Sequence, residues 1–360
     1  MKRILIVLCI ILFIFSSCSK KQIAEVVPSA AIRTITDLTG REVTIPLHVT
    51  SIICVNVGTL RFTTYMQALD LVAGVEQNEF QPSINKLFSY INRERLSALP
   101  AIGDNGKTFD EEIIKISPEV IMAAFDRESA DALQAKTGIP VVTIPLIDDA
   151  FDEACFDTLR LMGEVYDKKA RAEELIAYIK TLNVDFKTRI KDIKPQNKPS
   201  VYAGGISFKG AHGFEGTEAR YSPFYIIDAD NVADRTGQNG AFNIDVEQVL
   251  KWDPDIIFLD FNGLALIKED YAKRPAFYNS FNAVKNNRVY SQISFRFNAV
   301  NIELAFADAY YAAKVIYPEQ FADIDPAVKA DEIFEKLLGV KCYEMLEKAG
   351  YAFRQIGINE

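Results

Sequence analysis

Basic runs are missing. After the first residues no cluster of Lys or Arg interrupts a chain of 360 residues with a formal net charge of -9, so the sequence offers no electrostatic footprint for a nucleic-acid backbone. Catalytic signatures are missing too. There is no G-x-S-x-G elbow, no H-E-x-x-H pair and no G-x-x-x-x-G-K-[ST] phosphate loop, the arrangements that serve esterases, zinc peptidases and P-loop nucleotidases. Cysteine is sparse: five occur, none in a CxxC spacing. With Cys9 and Cys18 set aside at the N-terminus, Cys54, Cys155 and Cys342 remain, an odd set that speaks against a disulfide framework. The apolar run over 4–15 has 12 residues, short of the roughly 20 that a bilayer-crossing helix needs.

That short run is informative in another way. Lys2 and Arg3 precede it and "FSSC" closes it, the layout of a secretory signal. It resembles a bacterial lipoprotein signal, which implies a signal peptide over 1–17, lipid attachment at Cys18 and a polar tether over 18–33. The chain is therefore expected to be exported and lipid-anchored, periplasmic or on the outer face of the cell membrane.

At 49% hydrophobic and 25% charged, a chain of this length has the composition of two globular units. "TITDLTGREVTIP" alternates and turns at Gly40, as a β-hairpin does. "SIICVNV", "LVAGV", "EVIMAAF" and "VVTIPLI" are short Val- and Ile-rich runs separated by helical stretches, the mark of a sheet covered on its faces by helices. From 168 to 193 no Gly or Pro occurs, while Ala172, Leu175, Ile176, Ile179, Leu182 and Phe186 recur at helical spacing. This stretch predicts one helix of roughly 40 Å. The α/β pattern then restarts with "SVYAGG", "DIIFLDF" and "RVYSQIS". The expected architecture is α/β: a lobe over 34–166, a linking helix over 167–194, and a second lobe over 195–360 that ends in helices.

Each half contains nearly the same sentence, "EEIIKISPEVI" from 111 and "EQVLKWDPDII" from 247. Aligned on Pro118 and Pro254, both place a Glu seven residues earlier, Glu111 and Glu247, and an acid just after, Glu119 and Asp255. Each copy predicts a short helix stopped before proline, then a buried strand, with the Glu in the first turn, where the helix dipole favours a carboxylate. Read from spacing alone, the pair is either a by-product of a duplicated fold or two equivalent acidic knobs suited to a symmetric partner.

"TDLTGREVTIP", "LVAGV", "IGDNGKTFDEEIIKISPEVIM", the long helix and "DVEQVLKWDPDIIF" together resemble the periplasmic substrate-binding proteins of ABC importers that carry ferric siderophores, haem and cobalamin. The resemblance implies two Rossmann-like α/β lobes joined by one rigid helix, with the ligand cleft between them. It also implies that Glu111 and Glu247 dock on a permease dimer served by a cytoplasmic ATPase. No cofactor and no enzymatic activity are expected. The cargo is expected to be a metal chelate, an iron complex first, with haem or a corrinoid as the alternative. A tetrapyrrole chelatase-like enzyme is the alternative of another class, and a surface scavenger working without a permease is a third reading. Importers of bare zinc or manganese use several His and acidic ligands, whereas only His48 and His212 occur here, which disfavours a naked ion.

In open α/β sheets a ligand sits outside the carboxyl ends of the strands, so the contact candidates are the segments just after strands: 56–61, 76–80, 125–127, 204–220, 261–263 and 295–298. Within them Arg61, Arg220 and Arg296 are cations able to grip a carboxylate through paired hydrogen bonds, or simply to pair with an acid. Phe125 is an apolar candidate. The glycine-rich "GGISFKGAHGFEGTEARY" adds Lys209, His212 and Tyr221. His212 is either a completing ligand to a chelated metal or a loop histidine that only hydrogen-bonds.

Overall fold

The computed structural model describes residues 31–147, 151, 153–297 and 299–358; the signal, Cys18 and most of the tether lie outside them. Strands Ile32–Thr36 and Glu42–Pro46 pair antiparallel as the expected hairpin. Its turn is held by the buried carboxylate of Asp37, which accepts from the backbone N–H groups of Thr39 and Arg41.

The first lobe is a six-stranded sheet in the order Lys107–Thr108, Ala101–Asp104, Val72–Glu76, Ile52–Val55, Val120–Ala123, Val141–Thr143. All pairings are parallel except that of the Lys107–Thr108 edge. The second lobe is a parallel four-stranded sheet in the order Asp230–Asn231, Ser200–Gly204, Ile256–Asp260, Val289–Gln292. A small antiparallel pair, Gly216–Ala219 with Gly240–Asn243, lies beside it. The central strands Ile52–Val55 and Ile256–Asp260 are buried at every residue, which is why they read as unbroken apolar runs rather than alternating ones.

The long helix spans Lys169–Ile190 and buries the six apolar residues whose spacing announced it. At 22 residues it measures about 33 Å, shorter than the sequence reading because it ends at Ile190 rather than at 193; a separate helix, Ala154–Val165, precedes it. The two cross closely at Gly163, where a Cβ would lie 2.8 Å from that of Ala172. Phe186 near the far end of the long helix meets the ring of Tyr310 at 4.2 Å, and Tyr310 donates its hydroxyl to Asp185 at 2.8 Å.

Tyr310 belongs to helix Ile302–Ile316, which is buried on nearly all sides, as a helix enclosed by core must be. One hydrophobic cluster includes residues of this helix, of both sheets and of the long helix. The next helix, Pro326–Leu338, is capped by Asp325, whose carboxylate accepts from Ala327 N and Val328 N at 2.9 and 3.2 Å. Asp325→Ala removes that cap and is expected to cost about 1 kcal/mol in a urea denaturation curve.

Candidate functional site

Two concavities lie beside segments that leave the carboxyl ends of strands, one on each lobe. On the first lobe, Asn56, Gly58, Arg61, Glu76, Asn78, Glu79, Lys86 and Phe88 enclose a hollow of about 10 Å³, the room of one water-sized sphere. On the second lobe an open concavity of about 630 Å³ is walled by residues 207–211, Asn262, Arg296, Phe297 and Ala299. The loop forming one wall is tied down where Gly205 and Gly263 approach: a Cβ on Gly263 would stand 2.4 Å from Gly205 Cα and 2.5 Å from His212 O.

The first hollow is a buried charge network. Glu79 accepts from Lys86 Nζ at 2.6 Å and from Ser89 Oγ at 2.5 Å. Glu76 accepts from Gly106 N at 2.6 Å and Asn56 N at 3.2 Å. Burial raises the Glu76 carboxyl above its usual range, and burial lowers the Lys86 ammonium below its own. Arg61, 1% exposed, lies 4.8 Å from the Phe88 ring centre. It donates through Nε to Asn301 Oδ1 at 3.1 Å, which links the first lobe to the start of helix Ile302–Ile316. Tyr65 donates its hydroxyl to buried Glu303 on that same helix, and Asn85 Nδ2 donates to Asn262 Oδ1 at 2.7 Å.

Arg296 and Lys209 stand on the open concavity as cations. Arg296 grips Glu218 with two bonds of 2.5 Å, so its guanidinium is fixed in the wall by a buried acid. Lys209 is exposed at the loop tip with a φ of 50°. Arg61 reaches the smaller hollow, where it bridges the lobes rather than facing solvent.

Other candidates lie elsewhere. Tyr221 is fully buried, its ring 4.9 Å from Phe224 and 5.4 Å from Phe295; it is core, because the chain turns inward after Arg220, whose φ is 55°. Arg220 is exposed and lays its guanidinium over the Tyr225 ring at 4.3 Å, away from the residues that wall the concavity. Phe125 packs against a core cluster of the first lobe. His212 stacks on Phe208 at 4.0 Å and 7°, with Nε2 2.8 Å from Phe208 O. It braces the loop that carries Phe208, and no group of metal-holding side chains exists among the described residues.

Three cleft features went unread in the sequence: Lys86, Asn85 and the Arg296–Glu218 pair. Lys86 and Asn85 come after no strand, and Glu218 precedes Arg296 by 78 residues. Glu111 and Glu247 are exposed at the second position of helices Asp110–Ile116 and Val246–Trp252. Both helices end on a left-handed residue, Ser117 and Asp253, before the proline. The acids after the prolines serve structure: Glu119 accepts from Thr50 N at 2.6 Å and Asp255 from Ser200 N at 2.8 Å, each clamping the start of a neighbouring strand.

The profile of a family described as periplasmic binding protein matches residues 76–292. The molybdate-binding protein MolA of Haemophilus influenzae is 21% identical over 84% of this chain and 90% of its own length. The Fe(3+)-citrate-binding protein YfmC of Bacillus subtilis is 23% identical over 53% of this chain and 58% of its own. Among solved structures, a periplasmic solute binding protein from Veillonella parvula superposes with a TM-score of 0.70 at 23% identity, covering 86% of this chain and 94% of the other.

Proposed function

The chain belongs to the periplasmic binding protein family, and from that premise we propose that it captures a metal chelate, a ferric siderophore or other iron complex first, and delivers it to a dimeric permease. The coarser role is that of the extracytoplasmic substrate-binding component of an ABC transporter, a transport protein rather than an enzyme, working with a permease and an ATPase and using no cofactor. The chelatase-like reading falls with that.

The 630 Å³ concavity carries the finer reading. It falls within the roughly 300–1,000 Å³ typical of sites for drug-sized molecules, far more room than a single tetrahedral oxyanion fills. Its wall combines two aromatic rings, Phe208 and Phe297, with the exposed ammonium of Lys209 and with Arg296, whose charge is balanced by Glu218, which suits a partly apolar complex with a negative charge. YfmC, named for ferric citrate, supports the iron choice. MolA, named for molybdate, supports a second reading in which an oxyanion settles deeper between the lobes.

Attachment through Cys18 and docking through Glu111 and Glu247 complete the proposal, with the lobe boundaries placed at 34–166 and 195–360 about the linking helix. The test is a titration of the chain lacking its signal with ferric citrate, catecholate and hydroxamate complexes, haem, cobalamin and molybdate. Quenching of Trp252, the single tryptophan, together with the tyrosines, reports binding. Saturation by an iron complex below micromolar concentration is expected. Saturation by molybdate alone overturns the chelate reading and leaves the family role intact.

A further inference from the structure

Asn85 and Asn262 meet across the cleft, and the bond between them has an unusual support. Asn85, 1% exposed, precedes helix Leu87–Tyr90 on the first lobe. Its Nδ2 donates to Asn262 Oδ1 at 2.7 Å, while its own buried carbonyl oxygen has no partner among the described residues. Asn262 comes after strand Ile256–Asp260 on the second lobe, on the wall of the large concavity. It is held from behind: its backbone N–H donates to Asp260 Oδ1 at 2.8 Å and to Ser294 Oγ at 3.2 Å. The Ser294 hydroxyl donates to the same Asp260 oxygen. Asp260, 4% exposed, is thus the acceptor at the root of the turn that presents Asn262.

The groups around Asp260 offer its charge little compensation. Glu218 faces it from strand Gly216–Ala219, itself gripped by Arg296. Asp308 approaches from helix Ile302–Ile316 and the Tyr221 hydroxyl from the segment before helix Ser222–Tyr225. Burial, opposed by the Ser294 and Asn262 hydrogen bonds and aided by Glu218, pushes the Asp260 carboxyl up to about 7.

We propose that the Asn85–Asn262 bond is a clasp between the lobes and that Asp260 is the residue that positions it, so that protonation of this buried carboxylate loosens the clasp. An ionised carboxylate accepts both supporting bonds as charge-assisted ones, roughly twice as strong as their neutral counterparts. The neutral acid holds the turn less firmly, and the amide of Asn262 then swings away from Asn85. Only the consequence for cargo rests on the importer reading; the clasp itself does not.

The test therefore uses no cargo. Spin labels are placed through Glu128→Cys and Glu269→Cys, exposed positions one on each lobe; the native Cys54, Cys155 and Cys342 are buried. The distance distribution between the labels is expected to lengthen and broaden as pH falls through about 7. In Asp260→Asn and in Asn85→Ala the distribution is expected to stay long at every pH, with the pH response lost. A wild-type distribution that ignores pH overturns the proposal. So does a pH response that survives in Asn85→Ala, a variant that leaves the Asp260 turn untouched.

Discussion

Reversing the two glutamates proposed to dock on the permease, Glu111→Arg with Glu247→Arg, is expected to reduce uptake to the level of cells lacking the protein while cargo affinity stays within about twofold, as for surface substitutions remote from a site. The two side chains occupy equivalent places. Each is exposed at the second position of a short helix whose left-handed C-terminal residue leads into proline and a buried strand. Because Glu119 and Asp255, not Glu111 and Glu247, clamp the neighbouring strands, the reversal leaves the framework in place. A two-fold permease presents the same patch twice, so each single reversal is expected to leave partial uptake. Loss of charge complementarity at a docking rim slows encounter before it alters anything else, and uptake is therefore expected to recover in part at high expression of the double variant. Full uptake by the double variant would point to a protein that scavenges without a permease.

The second large effect lies in the enclosed hollow. Lys86→Met leaves the Glu79 carboxylate, 8% exposed, with Ser89 as its remaining partner and no counter-charge at 2.6 Å. Breaking a buried pair from one side costs about 3–5 kcal/mol, because an uncompensated charge stays in low dielectric. Removing both charges is a different matter. Lys86→Met with Glu79→Leu is expected to recover most of the loss, since well-packed apolar residues often equal or exceed a buried pair in stability. Urea midpoints of the two single variants and the double variant measure the coupling directly. If Lys86→Met alone matches the wild type, the ammonium is contributing nothing to folding and its place is explained by ligand contact instead.

Much of the architecture was legible because it rests on periodicity. The six apolar residues from Ala172 to Phe186 face the core as their spacing required, and the twin "E…P" sentences form twin helix–strand units. The rule that ligands gather where strands end singled out Arg61, Lys209 and Arg296, which wall one of the two concavities, and the segment 261–263, whose Asn262 lies on the larger one. Polar character misled elsewhere. Tyr221 looks like a contact residue in a glycine-rich loop, yet one left-handed residue, Arg220, turns it into the core. Lys86 sits in "QPSINKLFSY", which comes after no strand, and its burial depends on Glu79 from another turn. The break between Val165 and Lys169 falls where the linking helix was expected to begin, and Gly163 lets the two helices cross closely there.

Helix Ile302–Ile316 bears on how the protein is made. An exported chain emerges with its N-terminus first, so the first lobe arrives long before residues 301–316. Until they arrive, Arg61 lacks Asn301 and Tyr65 lacks Glu303, and the ring of Phe186 lacks Phe306 and Tyr310. These contacts therefore form only once the last quarter of the chain has arrived, so the first lobe reaches its final packing last although it emerges first.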